Sequence, residues 1–162
     1  MAFIAGPYTA TYNDSAVGIT ENGFELDQTY FSEPITGDNM GSAHQDDVYR
    51  SGNNFISWTA QEWNAAAMTI AYWPWANFGI SGQVGRLATS VAKTLLLTVT
   101  AGTNAAVAGP NTLTASRSIL APDFNVKHIF STRHRKVPLR HKLYPVTGSE
   151  SGAAAAYWFT AT

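Results

Sequence analysis

A mainly β fold, a sandwich or barrel with one flanking helix, is what this 162-residue sequence predicts. Three observations carry the prediction. Short runs rich in Val, Ile, Thr, Leu and aromatic residues are separated by Gly, Pro, Asn and Asp clusters along most of the chain. Two of these runs, residues 24–31 and residues 137–146, alternate apolar and polar side chains with period two. Only one stretch, residues 61–72, recurs at helical spacing, through Trp63, Ala66, Ala67, Ile70 and Ala71.

Taken in order, residues 8–12 read as a first strand, ended by the turn composition Asn13-Asp14-Ser15. Residues 17–20 form a brief second run. Asn22-Gly23 after Glu21 predicts a tight turn, because both residues tolerate positive φ. In residues 24–31, Phe24, Leu26 and Tyr30 share one side, and Glu25, Asp27 and Thr29 share the other. That is a half-buried strand with an acidic outer face. Residues 55–59 make another strand. Thr59 and Glu62 then stand like a capping box before the helix, and Pro74 stops it. Tyr72, Trp73 and Trp75 crowd its end as core aromatics. Residues 78–87 form a Gly-rich loop. Residues 93–100 and 112–120 are strands flanking a small-residue loop, Pro122-Asp123 turns the chain, and residues 126–131 and 137–146 are the last long strands. In the latter, Val137, Leu139, His141 and Leu143 alternate with Arg140, Lys142 and Tyr144. Residues 157–160 close as a final strand.

The length suits one domain, residues 1–162, with a real core. One stretch interrupts the pattern. Residues 32–53 (SEPITGDNMGSAHQDDVYRSGN) keep neither period, and so long a structureless insert is uncommon within a compact domain. Ile35, Met40, Val48 and Tyr49 are apolar teeth along it, which a purely solvating linker would not need. It reads as a long assembly loop that orders against another surface, most simply a second copy. The competing reading is a loop closing over its own core.

Charged residues make up only 13% of the chain, about half the usual share, which suits surface hidden in an assembly. The net charge of −1 is divided. Residues 1–81 hold nine carboxylates against Arg50 alone, a net −8; residues 82–162 hold nine cations against Asp123 and Glu150, a net +7. Such a division matches an acidic face of one copy meeting a basic face of the next, or neutralisation inside one subunit. The acidic partners are Asp46 and Asp47, with Asp38 nearby; the basic ones are Arg133, Arg135 and Lys136 beside a turn.

Little in the sequence points to chemistry. The absence of cysteine excludes disulfides and thiolate metal sites. His44 with Asp46 and Asp47 falls short of a metal ligand set, and His128, His134 and His141 sit among cations that oppose a metal, so no metal is expected. Gly79, Gly82 and Gly85 are not a phosphate fingerprint, and no G-x-S-x-G elbow occurs. Glu25 and Asp27, two residues apart on one strand face, fit a solvated face better than a catalytic pair. The expectation is no enzyme, no catalytic residues and no cofactor. The first residues lack the basic start and apolar core of a signal peptide, and no run is long enough to span a membrane.

Several short stretches follow one another in a telling order: GITENGFEL (residues 18–26), DNMG (38–41), VYRSG (48–52), QEWN (61–64), VPLR (137–140) and Tyr144-Pro145. Over most of its length the chain thereby resembles the major tail tube proteins of long-tailed bacteriophages. Residues 82–86 and the alanine-rich end have no counterpart in that pattern. The resemblance implies a β-sandwich or barrel that closes into a hexameric ring by sheet pairing between neighbours. Rings would stack through the long loop into a hollow tube that carries the genome. The implied partners are other copies, other tail proteins (terminator, tape measure, baseplate) and DNA in passage, with no membrane. The implied place is the virion tail, assembled in the host cytoplasm. Inter-subunit contacts would then fall on Ile35, Asp38, Met40, Asp46, Asp47, Val48, Tyr49, Arg133, Arg135 and Lys136. Glu25, Asp27 and Thr29 would face the lumen, where negative charge keeps DNA from sticking. The other reading is another small β-sandwich virion component or binding module: a tail terminator, a head decoration protein or a carbohydrate-binding domain.

Overall fold

The structure is a computed structural model that describes residues 8–37, 43–62, 85, 87–100, 112–127, 136–146 and 158–161. Its strands are β1 (Tyr8–Tyr12), β2 (Ser15–Ala16), β3 (Thr20–Thr36), β4 (His44–Ala60), β5 (Lys93–Val99), β6 (Thr112–Leu120), β7 (Val137–Leu143) and β8 (Thr160–Ala161). Among the described residues there is one short helix, α1 (Ala88–Val91), which precedes β5. The eight strands of the described residues join in one sheet, in the order β2-β1-β5-β6-β7-β4-β3, with β8 on β6. Every pairing is antiparallel. The mainly β fold is as the sequence predicts.

The β1–β2 connection is the predicted turn. Asn13 and Asp14 take φ of 49° and 64°, and Tyr12 pairs with Ser15 across them. Two central residues with positive φ make a type I′ hairpin, whose twist matches the strands it joins. Asn22-Gly23 also takes positive φ, 60° and 76°, but it does not reverse the chain. Glu21 pairs with Thr59 and Phe24 with Trp58, so both residues bulge out of β3 while it continues along β4. The preference for positive φ was legible; a bulge uses it as readily as a hairpin does.

The sheet is strongly curved. β1 and β7 stand three positions apart, roughly 14 Å on a flat sheet. Yet the Tyr12 and His141 rings meet edge to face with centroids 5.0 Å apart, and the Tyr12 hydroxyl donates to the Ser118 carbonyl at 3.0 Å. The concave face encloses the core: Ala10, Tyr12, Ile56, Trp58, Leu95, Leu97, Ala115, Leu120, Leu139 and Leu143 with their neighbours. Alternation along β7 is as expected, with Val137, Leu139, His141 and Leu143 buried. In β6 an extra residue between Ala115 and Ser118 shifts the register, so that Ser118 and Leu120 take over the inward side. Ile119 is fully buried but stands outside the main cluster, and α1 lies against this strand.

Gln61 and Glu62 belong to no helix, and residues 63–72 of the expected helix lie outside the described residues, as does most of the Gly-rich loop. The run at 17–20 is not a strand of its own; only Thr20 is extended, as the start of β3. Residues 126–127 are not in a strand, and of residues 157–160 only Thr160 is. α1 was not expected.

Candidate assembly surface

The stretch expected to be irregular is largely a regular ribbon. β3 and β4 keep pairing well beyond the sheet, through Ser32 opposite Tyr49, Glu33 opposite Val48, Pro34 opposite Asp47 and Ile35 opposite Asp46, to Thr36 opposite His44. Asp38 and Met40, near the tip, lie outside the described residues. β7 ends at Leu143, opposite Asn54, so the ribbon beyond that pair loses its neighbour on the β7 side. From Gln28 outward on β3, and from Ser51 outward to His44 on β4, every residue is exposed. A two-stranded ribbon with both faces in water is marginal by itself.

Cross-strand pairing sorts the ribbon into two faces. A register shift at Arg50 places Tyr30, Ser32 and Pro34 with Tyr49 and Asp47 on the face continuous with the core. Phe31, Glu33 and Ile35 share the other face with Val48 and Asp46. Both faces carry exposed large apolar groups: Tyr30 and Tyr49 on the first, Phe31, Ile35 and Val48 on the second. Exposed apolar groups clustered in this way are uncommon on the surface of a monomer. Sequence reading placed Tyr30 on the core side of its strand, which is the correct face, but the strand leaves the core before reaching it. Phe31 and Tyr30 were therefore missed as surface residues. Both are aromatics at the point where the alternating run gives way to polar residues.

The ribbon's charges are tied locally. Arg50 pairs with Glu33. His44 Nε2 lies 3.2 Å from Asp47 Oδ2, the Ser32 hydroxyl donates to Asp47 Oδ1 at 3.4 Å, and the Asp47 N–H donates to Asp46 Oδ1 at 2.8 Å. Partial desolvation, with Tyr30 alongside, raises the pKa of the Tyr49 phenol. β3 is moreover an edge strand of 17 residues, with no strand on its outer side among the described residues. A long open edge is a template for pairing with another chain.

The convex face of β3, β4 and β7 holds the lumen candidates. Glu25, Ser57 and Arg140 form one cross-strand row, and Asp27, Phe55 and Lys142 the next. Arg140 Nη2 donates to Asp27 Oδ2 at 2.9 Å while its guanidinium lies 4.0 Å above the Phe55 ring. Lys142 sits 5.4 Å from the centroid of Tyr144. Thr29 lies opposite Asn53 where the ribbon begins. The face expected to be acidic is therefore mixed in charge: Arg140 and Lys142 stand in the same rows as Glu25 and Asp27. Beside it, at the Asn22-Gly23 bulge, Glu21, Glu25, Ser57 and Thr59 help line an open cavity of about 270 Å³. No three His, Asp or Glu side chains converge on a metal position among the described residues.

Lys136 pairs with Glu21 in the same chain, at the end of the sheet where Ala60 meets Val137. Arg133 and Arg135 lie outside the described residues. Two ion pairs, Lys136–Glu21 and Arg140–Asp27, thus cancel part of the charge division inside the subunit. Asp46 and Asp47 lie some 13 residues along β4 from that end, about 40 Å of strand. Within one extended chain the acidic ribbon and Lys136 cannot meet.

No family model matches the chain, and no curated protein matches its sequence. Among solved structures, the chain is similar to one from an extracellular contractile injection system, the PVC sheath–tube complex in its extended state. The likeness covers 98% of this chain and 89% of that one, with a TM-score of 0.54 at 10% sequence identity, and it is a likeness of fold.

Proposed function

We propose that the chain is a structural tail-tube subunit of a bacteriophage: copies close into hexameric rings, and rings stack into a hollow tube through which DNA passes. The ribbon carries this reading. It extends about 30 Å past the last β7 pairing with apolar groups exposed on both faces, a shape suited to contact with another copy. Ile35, Val48 and Tyr49, with Asp38 and Met40 near the tip, then meet the next ring. Asp46 and Asp47 meet Arg133, Arg135 and Lys136 of a neighbouring copy. Head-to-tail contact of unlike surfaces is what closes a ring. The open edge of β3 supplies sheet pairing within it. Fold likeness to a chain from an injection system's sheath–tube complex supports a place in such a particle. Terminator, tape measure and baseplate proteins are the other partners. The particle is assembled in the host cytoplasm. The subunit has no catalytic role.

Light scattering on concentrated protein tests the reading. Particles many times the mass of one subunit are expected. A stable monomer would favour a terminator, a decoration protein or a carbohydrate-binding module instead.

Glu25, Asp27 and Thr29 line the lumen in this reading. The double change Glu25→Lys and Asp27→Lys turns these two cross-strand rows from two carboxylates and two cations into four cations. The expected result is tubes that still assemble but hold DNA at low salt and release it at high salt. Mutant tubes with no gain in DNA retention would remove this face from the lumen.

A further inference from the structure

Among the described residues the ribbon joins the sheet at its base, and a ring contact reaches it farther out. Beyond Leu143, β7 no longer flanks β4. β8 stands in line with β7 along the same neighbour: β6 pairs β7 at Ser118–Leu120 and β8 at Leu113–Thr114, both antiparallel. β8 thus continues the lane that β7 vacates. Two residues before it, Trp158 meets Tyr49 edge to face, with centroids 6.4 Å apart and ring planes at 84°. Tyr49 sits five residues beyond the last β7 pairing, roughly 15 Å out and about halfway to His44.

The contact is the end of a chain. The Gln28 amide donates to the Tyr30 hydroxyl at 2.8 Å, and Tyr30 meets Tyr49 with centroids 6.1 Å apart. Gly52, directly opposite Tyr30, forms the floor. A Cβ there would stand 3.2 Å from both Tyr30 Cδ1 and the Tyr49 hydroxyl, so a side chain would press on both rings. From Gln28 at the sheet's border to Trp158 on the β8 segment, the rings form one continuous brace.

We propose that Trp158 and β8 form a strap that fixes the angle of the ribbon by clamping Tyr49 halfway along it. Without the strap the ribbon stays paired but swings about its base near Gln28 and Asn54. The proposal concerns the single subunit and does not rest on the tube reading.

The chain has no cysteine, so a pair of spin labels can be placed cleanly. Labels at Thr36→Cys, exposed on the ribbon, and Ser116→Cys, exposed on β6, report the ribbon's angle as a distance distribution at a concentration where the chain is monomeric. The parent should give one narrow distribution. Trp158→Ala and Tyr49→Ala should each broaden it about twofold, and Trp158→Phe should keep it narrow. Thermal unfolding midpoints should stay close to the parent's, which separates a swinging ribbon from a loosened fold. If Trp158→Ala fails to fold, Tyr49→Ala decides, since that side chain is 51% exposed and outside the core. Distributions for Tyr49→Ala that superimpose on the parent's would overturn the strap.

Discussion

Lowering the pH from 7 to 4 is expected to remove about 3 kcal/mol of subunit stability through His141 alone. The imidazole is fully buried. Its Nδ1 lies 3.1 Å from the Ser118 hydroxyl, the Tyr12 ring meets it edge on, and the Trp58 ring lies 4.7 Å away. Among the described residues its Nε2 has no partner, and neither do the amide atoms of nearby Asn54 or the indole nitrogen of Trp58. Among the described residues no carboxylate bonds to the ring to stabilise a proton. Burial therefore pushes its pKa from 6.5 down to about 3. The unfolded chain takes up a proton near pH 6.5 and the folded chain does not. The stabilisation is complete above pH 6.5 and falls as pH drops toward 3, by roughly 1 kcal/mol per pH unit. His141→Leu abolishes this slope and strands the Ser118 hydroxyl, at a cost of about 1–3 kcal/mol at pH 7. Stability curves from denaturant titrations should therefore converge near pH 5, the variant flatter than the parent. Parallel curves from pH 7 to 4 would show that His141 does not take part.

Placing carboxylates on the ribbon, by Ile35→Asp with Val48→Asp, should abolish assembly while leaving the subunit folded. Both side chains are more than 40% exposed and lie on the same face. Exposed substitutions of this kind change subunit stability by about 0.5 kcal/mol or less. In a contact, each apolar side chain is worth roughly 1.5–3 kcal/mol, so losing two weakens one interface about 10²–10⁴-fold. Every ring would repeat that loss at each subunit. Sedimentation and circular dichroism on the same samples separate the two effects. A folded double mutant that assembles like the parent would show that this face is not the contact.

What the sequence made legible follows from local physics. The turn at Asn13-Asp14, though not its type, and the buried side of β7 were readable because a turn residue or a one-sided core imposes its own pattern. The same alternation put His141 among the core residues. Its surroundings depend on how Tyr12, Trp58 and Ser118 arrive from three other strands, which no local pattern records. The ribbon was misread because both its faces are exposed, so no apolar alternation survives, and the shift at Arg50 breaks what remains. Of its apolar teeth, which were visible in the sequence, Ile35, Val48 and Tyr49 are exposed. Trp158 could not be matched with Tyr49 from sequence, since the match depends on β8 lying in line with β7. The insertion of β7 between β6 and β4 is likewise a long-range pairing.

Electron microscopy of the concentrated protein tests the central claim most directly. Hollow rings with sixfold symmetry, stacking into tubes that the Ile35→Asp and Val48→Asp double mutant cannot form, are expected. A field of single compact particles at every concentration and salt would contradict it.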